Sequence, residues 1–365
     1  MPGVTGRIRS LDAFRGAAVA AMILVNNPGS WGAIYPPLRH AEWHGWTPTD
    51  LIFPFFLFIV GVSLVVSFTR REQGGASRRD LARKAILRGA LIVLVGLLLS
   101  GFPRYDLVHL RIPGVLQRIG VVYALTALIF LGFGPKARRW IAAALLAGYW
   151  VAMTFLPVPG GMAGDLSAAG NLGAWLDRLL LGGHLWTPEF DPEGVLSTIP
   201  AVATCLIGSF AGERLLADRP AGDRATGILL MGGVLIVAGL AWGHWFPINK
   251  GLWTSSYVLF TGGIACQALA ACYWLIDVRG RDRWAGPFIA FGTNALFAFV
   301  LSGLLARILL LWTVDGGPGR DWLFREVLSP ALGPLNGSLA FAAANVLVIY
   351  AVTALLYRRG IVLKL

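Results

Sequence analysis

The chain has 365 residues, of which 56% are hydrophobic and only 14% are charged. Soluble domains carry about 25% charged residues, so this composition excludes an ordinary soluble domain, and also disorder, a coiled coil or a disulfide scaffold. The formal net charge of +12 is a common sign of nucleic-acid binding. Here, however, the Lys and Arg residues are scattered between long apolar segments, which favours a membrane protein with no nucleic-acid partner.

Ten segments are apolar enough to cross a hydrocarbon core of about 30 Å as helices of about 20 residues. The first follows Arg7 and Arg9, but Asp12 and Arg15 interrupt its start and no cleavage pattern follows it. We therefore expect a retained helix and no signal peptide. The sequence predicts an all-α polytopic membrane protein, a single transmembrane domain over residues 1–365 with no soluble domain. The segments lie near 12–28, 50–69, 85–102, 114–133, 139–156, 196–213, 226–243, 255–276, 287–312 and 337–357.

The loops between these segments differ in charge on the two sides. One set of alternate loops holds 20 Lys and Arg residues and the other set holds seven. Because positive residues accumulate in cytoplasmic loops, both termini are predicted to be cytoplasmic. All five histidines and ten of the fourteen tryptophans fall in the outer loops or at their edges, so we expect a functional site on the outer side.

The densest polar cluster runs from the end of the first segment to the start of the second. It contains His40, which titrates near neutrality and can act as a base or a nucleophile. Asp50 is suited to holding the imidazole tautomer, and equally to capping the helix that follows it. Asn26 is suited to donating a hydrogen bond to a developing oxyanion. The H-x-E-x-H spacing that begins at His40 is no known zinc signature, and no metal site is expected.

Polar residues inside apolar segments are costly and are seldom incidental. Arg118 lies at least one turn inside the fourth segment, and Asn294 interrupts the ninth. Asn249 and Lys250 precede Trp253 at the outer start of the eighth segment, where an aromatic ring is suited either to stacking on a sugar or to anchoring at the interface. From these residues alone, a transporter and an intramembrane transferase both fit.

Blocks of residues along nearly the whole chain resemble the heparan-alpha-glucosaminide N-acetyltransferase family. The clearest block is His40-Ala41-Glu42-Trp43-His44-Gly45. The blocks occur in the family's order, so the resemblance is more than a single-motif match. They cover residues 10–16, 25–26, 40–45, 50–54, 111–119, 191–196, 246–250, 253–257 and 292–296.

The resemblance implies an enzyme that takes acetyl from cytosolic acetyl-CoA and delivers it to the free amine of a terminal glucosamine across the membrane. It implies that His40 is the active-site histidine and that Asn26 matches the family asparagine. The chain departs from the lysosomal member at His44, which stands where that enzyme has asparagine, so contacts to the acceptor are expected to differ. It also lacks that enzyme's N-terminal luminal region and the helix after it, so heparan sulfate need not be the acceptor.

We therefore predict a homodimeric acetyltransferase of the bacterial inner membrane whose site faces the periplasm. His40 takes the acetyl covalently or deprotonates the amine, while Asn26 polarises the thioester and Asp50 orients His40. The alternatives are an amino-sugar permease and an O-acetyltransferase of an envelope glycan. The residues expected to bind acetyl-CoA are Arg15, Gln117, Arg118 and Asn294. Those expected to bind the sugar are Trp43, His44, Glu193, Asn249, Lys250 and Trp253.

Overall fold

A computed structural model of the protein describes residues 8–363, and most of these residues are helical. The all-α prediction is confirmed apart from one short antiparallel ribbon, formed by β1 (Thr313–Val314) and β2 (Gly317–Pro318). Among the described residues the chain forms two compact units, one of residues 8–41, 46–56 and 272–363, and one of residues 42–45 and 57–271. We call these the first and the second unit.

Most of the α-helices are long enough to be stabilised by packing of their apolar faces. In chain order they are α1 (Arg9–Asn26), α2 (Ile52–Gln73), α3 (Arg78–Gly101), α4 (Val115–Gly132), α5 (Pro135–Phe155), α6 (Leu172–Leu181), α7 (Thr198–Leu215), α8 (Ala221–Trp242), α9 (Ser255–Tyr273), α10 (Gly286–Thr293), α11 (Ala295–Leu311), α12 (Gly319–Trp322), α13 (Ser329–Leu332) and α14 (Pro334–Arg358).

Each of the ten predicted segments coincides with helix. Within residues 8–363, six helices are long and apolar enough to cross a membrane, and α10 with α11 makes a seventh if the pair is one span. The membrane-protein class is therefore confirmed, while the number ten and the orientation of the termini stay predictions. Helices α1, α5 and α7 are not among the seven.

The predicted segment 287–312 is not one continuous helix. α10 and α11 meet at Asn294 with a bend of 73°, and the backbone of Asn294 is non-helical with φ −122° and ψ 40°. At this break the Asn294 side chain bonds to residues near the C-terminus: Nδ2 donates to the Ile361 carbonyl at 3.1 Å and Oδ1 accepts from the Leu363 amide at 2.8 Å.

Glycines permit the closest helix contacts within each unit. In the first unit, a Cβ on Gly16 of α1 would lie 1.7 Å from the Phe288 carbonyl oxygen of α10. In the second unit, a Cβ on Gly208 of α7 would lie 2.0 Å from the Phe58 carbonyl oxygen of α2. Small residues at such crossings are the usual way in which membrane helices approach each other closely.

Candidate active site

His40 and Asp50 form a hydrogen-bonded pair in the first unit. His40 Nδ1 lies 2.7 Å from Asp50 Oδ1, and the Asp50 side chain is 1% exposed while that of His40 is 42% exposed. The other oxygen, Oδ2, accepts from the backbone amides of Ala41 and Thr47, each at 3.0 Å, and from the Thr47 hydroxyl. Asp50 thus does both things that the sequence suggested, since it caps the turn at Pro48–Leu51 and also holds His40.

This arrangement determines which imidazole nitrogen of His40 carries the proton. A carboxylate accepts hydrogen bonds, so the proton of a neutral His40 lies on Nδ1 and the lone pair lies on Nε2. The Ala41 amide and the amide and hydroxyl of Thr47 hold the Asp50 carboxylate in place, so this carboxylate can orient the ring of His40. His40 Nε2 can therefore accept a proton or attack an electrophile.

Asn26 and Asn27 end α1 with different surroundings. Asn26 is exposed. Asn27 is buried, and its amide donates to the Ile23 carbonyl at 2.7 Å and to the Ser302 hydroxyl at 3.0 Å. Of the two, Asn26 is therefore the one with an accessible amide, and its role towards an oxyanion stays a prediction.

In the second unit, Asn249 holds the segment that follows His40. Asn249 is completely buried. Its Nδ2 donates to the Trp43 carbonyl at 2.9 Å and lies 3.3 Å from His44 Nδ1, and its Oδ1 accepts from the Leu252 amide at 2.8 Å. Sequence reasoning expected Asn249 to contact the sugar directly, but in the structure its amide is used to fix the backbone of Trp43 and the ring of His44.

Of the two tryptophans expected to bind the sugar, Trp43 is half-buried and Trp253 is buried. The Trp43 indole donates to the Leu166 carbonyl at 2.9 Å and packs edge-on against Phe190, with ring centroids 5.3 Å apart. Trp253 is 1% exposed and its indole donates to the Thr204 hydroxyl at 3.1 Å. Trp253 is therefore a core residue in this structure, while Trp43 keeps part of its surface accessible.

A buried ionic network lies at the start of α4. Arg111 binds Asp191 with two hydrogen bonds of 2.9 and 2.7 Å and binds Glu193 at 2.5 Å, and Asp191 is 1% exposed. Desolvation lowers the pKa of Arg111, but its hydrogen bonds and charge interactions with Asp191 and Glu193 raise that pKa overall. Glu193, which was expected to bind the sugar, is thus engaged by Arg111. Sequence reasoning gave neither Arg111 nor Asp191 a role, although both lie in blocks that carry the family resemblance.

Arg118 lies deeper in the same region. Its guanidinium donates to the Gly194 carbonyl at 3.2 Å and to the Ser197 hydroxyl, and it lies 5.1 Å from the centre of the Trp253 ring. Its Nε and Nη1 atoms are buried and have no hydrogen-bond partner among the described residues. Arg118 therefore keeps two donors that a bound oxygen atom can use.

Arg118 and Gln117 also line a cavity of about 550 Å³ within the second unit. Its walls are mainly apolar and include Val93, Val121 and Leu125, and it extends along α4 as far as Ile129. With a rise of 1.5 Å per residue, the 12 residues from Gln117 to Ile129 span about 18 Å. An apolar cavity with a few polar groups at one end is typical of small-molecule sites.

The remaining candidates for acetyl-CoA binding lie in the first unit. Arg15 Nη1 binds Asp12 Oδ1 at 3.2 Å and the Gly292 carbonyl at 3.1 Å. Asn294 is 2% exposed, and both atoms of its amide are bonded to the segment near the C-terminus, as described above. Asn294 could contact acetyl-CoA only if its amide gave up the bonds to Ile361 and Leu363 and bonded to acetyl-CoA in their place.

Asp177 is a titratable group that the sequence did not single out. It lies on α6, a ten-residue helix inside the Gly- and Pro-rich loop, and its Oδ1 accepts from the Val195 amide at 2.7 Å. Burial, with a smaller effect of the negative charge of Asp191, raises the pKa of Asp177 to about 6 against the opposing effects of the Val195 hydrogen bond and Arg118. Asp177 thus holds the segment that carries Glu193. Within residues 8–363, no group of three or more His, Cys, Asp or Glu residues is arranged to hold a metal ion.

Comparison with known protein families supports the resemblance seen in the sequence. Residues 7–239 match the family described as heparan-alpha-glucosaminide N-acetyltransferase, catalytic. The chain is 33% identical to the human heparan-alpha-glucosaminide N-acetyltransferase, over 80% of this chain and 52% of that protein. It is also 33% identical to the mouse heparan-alpha-glucosaminide N-acetyltransferase, over 89% of this chain and 58% of that protein. The chain spans about half the length of these relatives.

Proposed function

We propose that this chain, which belongs to the heparan-alpha-glucosaminide N-acetyltransferase family, transfers acetyl from cytoplasmic acetyl-CoA to the amine of a glucosamine-type sugar. The observation that carries the proposal is the hydrogen bond between the accessible His40 and the buried Asp50. Family membership supports the reaction class, because the relatives are named for acetyl transfer to the amine of a glucosaminide. The pair supports His40 as the reacting group.

The reaction needs a base for the amine and a stabilising group for the thioester oxygen. In the direct route, the amine nitrogen attacks the thioester carbonyl while His40 Nε2 takes a proton from it. The new C–N bond forms, the C–S bond breaks, and the CoA thiolate leaves and takes the proton from Nε2. Asp50 stabilises the imidazolium that exists between these events.

In the covalent route, His40 Nε2 itself attacks the thioester carbonyl and the C–S bond breaks first. The amine then attacks the acetyl-imidazole, the C–N bond to the sugar forms, and the bond to Nε2 breaks. The proton released by the amine is taken up by the departing imidazole nitrogen or by the CoA thiolate. Both routes use the nitrogen that Asp50 leaves unprotonated. The exposed Asn26 is proposed to donate to the carbonyl oxygen in either route.

Acetyl-CoA is proposed to enter from the side with the basic loops and to place its pantetheine arm in the cavity along α4. The apolar walls and the length of about 18 Å support this path, and so do the two unused donors of Arg118 at its polar end. Gln117 lies at the same end, and its amide donates to the Ser100 hydroxyl at 3.4 Å. Arg15 is proposed to contact a phosphate of acetyl-CoA, as arginines commonly do.

The location and assembly of the enzyme are part of the same proposal. The excess of Lys and Arg in alternate loops supports an inner-membrane protein with cytoplasmic termini and a periplasmic acceptor site. A homodimer is proposed from the family resemblance. Trp43, His44 and Lys250 are proposed to surround the sugar, with the two ring systems accessible beside the buried Asn249.

A sided assay in proteoliposomes tests the function. Acetyl-CoA is supplied on the side of the basic loops and glucosamine on the other side, and the sugar is analysed by mass spectrometry. The proposal predicts N-acetylglucosamine on the glucosamine side and release of CoA on the other. Movement of unmodified glucosamine without consumption of acetyl-CoA would instead identify a permease. Product that carries acetyl on a hydroxyl group would identify an O-acetyltransferase.

A further inference from the structure

We propose that His44 is a specificity-determining hydrogen-bond donor to an oxygen of the acceptor sugar, and that Asn249 is the positioning residue that fixes its tautomer. This inference rests on the proposed function and names the chemistry by which the same enzyme recognises its acceptor. It assigns the two residues different roles: His44 contacts the substrate, whereas Asn249 acts only through His44.

The orientation of the Asn249 amide is set by its backbone partners. Its Oδ1 accepts from the Leu252 amide at 2.8 Å and its Nδ2 donates to the Trp43 carbonyl at 2.9 Å. Exchanging the oxygen and nitrogen would place two donors together at one end and two acceptors together at the other. Because Asn249 is completely buried, water cannot compensate for such a mismatch. The nitrogen therefore faces His44.

The second proton of Asn249 Nδ2 points to His44 Nδ1, 3.3 Å away. An amide nitrogen has two donors and no acceptor, so His44 Nδ1 must supply the lone pair. In the neutral imidazole the proton then lies on Nε2. His44 is exposed, so its Nε2–H group is accessible to a ligand. In this tautomer Nε2 carries the proton, so it can only donate a hydrogen bond.

His40 and His44 therefore carry opposite tautomers within five residues of sequence. Asp50 accepts from Nδ1 of His40 and leaves Nε2 as a base, whereas Asn249 donates to Nδ1 of His44 and leaves Nε2 as a donor. An amino sugar is rich in hydroxyl and ring oxygens that accept hydrogen bonds. A neutral donor also suits it better than an imidazolium, which would repel the protonated form of its amine.

The tautomer is measured directly by nitrogen NMR on the full-length protein labelled with [15N]histidine in detergent, near pH 8. The His44 signals are assigned from the spectrum of His44→Gln. We expect a protonated Nε2 and an unprotonated Nδ1 for His44, and the reverse for His40. Adding glucosamine is expected to shift the Nε2 signal of His44. A protonated Nδ1 on His44, or no shift of its Nε2 at saturating glucosamine, would overturn the proposal.

Variants of Asn249 separate positioning from general structure. Asn249→Asp replaces the donor with an acceptor and is expected to move the His44 proton to Nδ1. The matched control is Asn171→Asp, because Asn171 is also completely buried in the second unit and its amide bonds only to backbone groups. The control is expected to leave the His44 signals unchanged. An unchanged tautomer in Asn249→Asp, with the control also unchanged, would contradict the role of Asn249.

Kinetics give a second readout that a structural role would not produce. We expect His44→Ala to raise the KM for glucosamine about tenfold, the size of one hydrogen bond, with the KM for acetyl-CoA unchanged. His44→Asn is expected to restore most of the loss. Equal effects of Ala and Asn would contradict the inference. If the wild type transfers no acetyl at all, the proposed function fails, while the NMR titration still decides whether His44 binds the sugar.

Discussion

His40 Nδ1 lies 2.7 Å from Asp50 Oδ1, and the Asp50 carboxylate is almost completely buried while the histidine remains accessible. A buried carboxylate that accepts from Nδ1 of an exposed imidazole places the lone pair of the neutral ring on Nε2. The proposed base and the carboxylate that orients it therefore both lie in the first unit.

Replacing Asp50 with asparagine is expected to lower kcat by about 10²-fold or more, since positioned acid–base groups contribute factors of this size. Asp50 is the third residue after the N-cap Thr47 in a capping box, and asparagine keeps one side-chain oxygen that can accept from the Thr47 amide, so the fold is expected to persist. The measurement is steady-state acetyl transfer with the thermal unfolding midpoint as a parallel check. Asp80→Asn is the matched control, because Asp80 pairs with Ser77 in a similar turn at the start of α3. Equal activities of the two variants would contradict the role of Asp50.

Filling the cavity along α4 tests the path of acetyl-CoA. Val121→Trp places a large ring in a position that lines the cavity and is expected to raise the KM for acetyl-CoA several-fold with little change in the KM for glucosamine. Val234→Trp on α8 is the control, because Val234 is 69% exposed on a helix of similar character. If both variants behave alike, the pantetheine arm does not use this cavity.

The raised pKa of Asp177 predicts that the stability of the protein changes with pH. Its pKa is raised to about 6 in the folded protein, mainly by burial. Its contribution to stability is therefore complete below the unfolded pKa, near 4, and is lost as the pH rises through about 6. We expect the wild type to lose about 1–2 kcal/mol between pH 5 and pH 8 relative to Asp177→Asn, measured by thermal unfolding in detergent.

The control for Asp177 is Asp165→Asn in the same loop. Backbone and side-chain hydrogen bonds from Ser167 lower the pKa of Asp165, so this carboxylate stays ionised throughout that pH range. The control is expected to reproduce the pH profile of the wild type. A profile of Asp177→Asn that parallels the wild type would show that another group is responsible.

We expect the ion pair of Arg111 with Asp191 to contribute to the free energy of unfolding. Arg111→Ala leaves the buried Asp191 without its main counter-charge, and breaking such a pair typically costs about 3–5 kcal/mol. The unfolding midpoint should fall accordingly. Arg78→Ala is the comparison, because the pair of Arg78 with Glu72 is largely exposed and should contribute less than about 1 kcal/mol. Equal losses in the two variants would contradict the assignment.

The sequence predicted where helices lie better than it predicted their details. Within residues 8–363, each apolar segment that hydropathy picked out coincides with helix, and six helices, or seven with the bent pair, are apolar and long enough to span a membrane. It did not predict the bend at Asn294, which depends on bonds to Ile361 and Leu363, about 70 residues away. It also missed α6, because ten residues are too few to give a membrane signal.

The site residues show the same division. Local sequence placed His40 and Asp50 ten residues apart at a helix start, and the structure joins them. Asn249 and Trp253 looked like surface groups because they precede an apolar segment, yet both are buried. Their partners, Trp43, His44 and Thr204, lie far away in sequence. Pairings of this kind depend on tertiary packing, which a single sequence does not encode in any local pattern.

The role of His40 as the reacting group is tested most directly by the sided acetyl-transfer assay with His40→Ala and a second histidine variant. His109→Ala is the matched control, because His109 Nδ1 also bonds an aspartate, Asp106, at 2.8 Å, but that pair is exposed on both sides. The account predicts wild-type formation of N-acetylglucosamine by His109→Ala and none above background by folded His40→Ala. Product formation by His40→Ala at the wild-type rate would contradict the account.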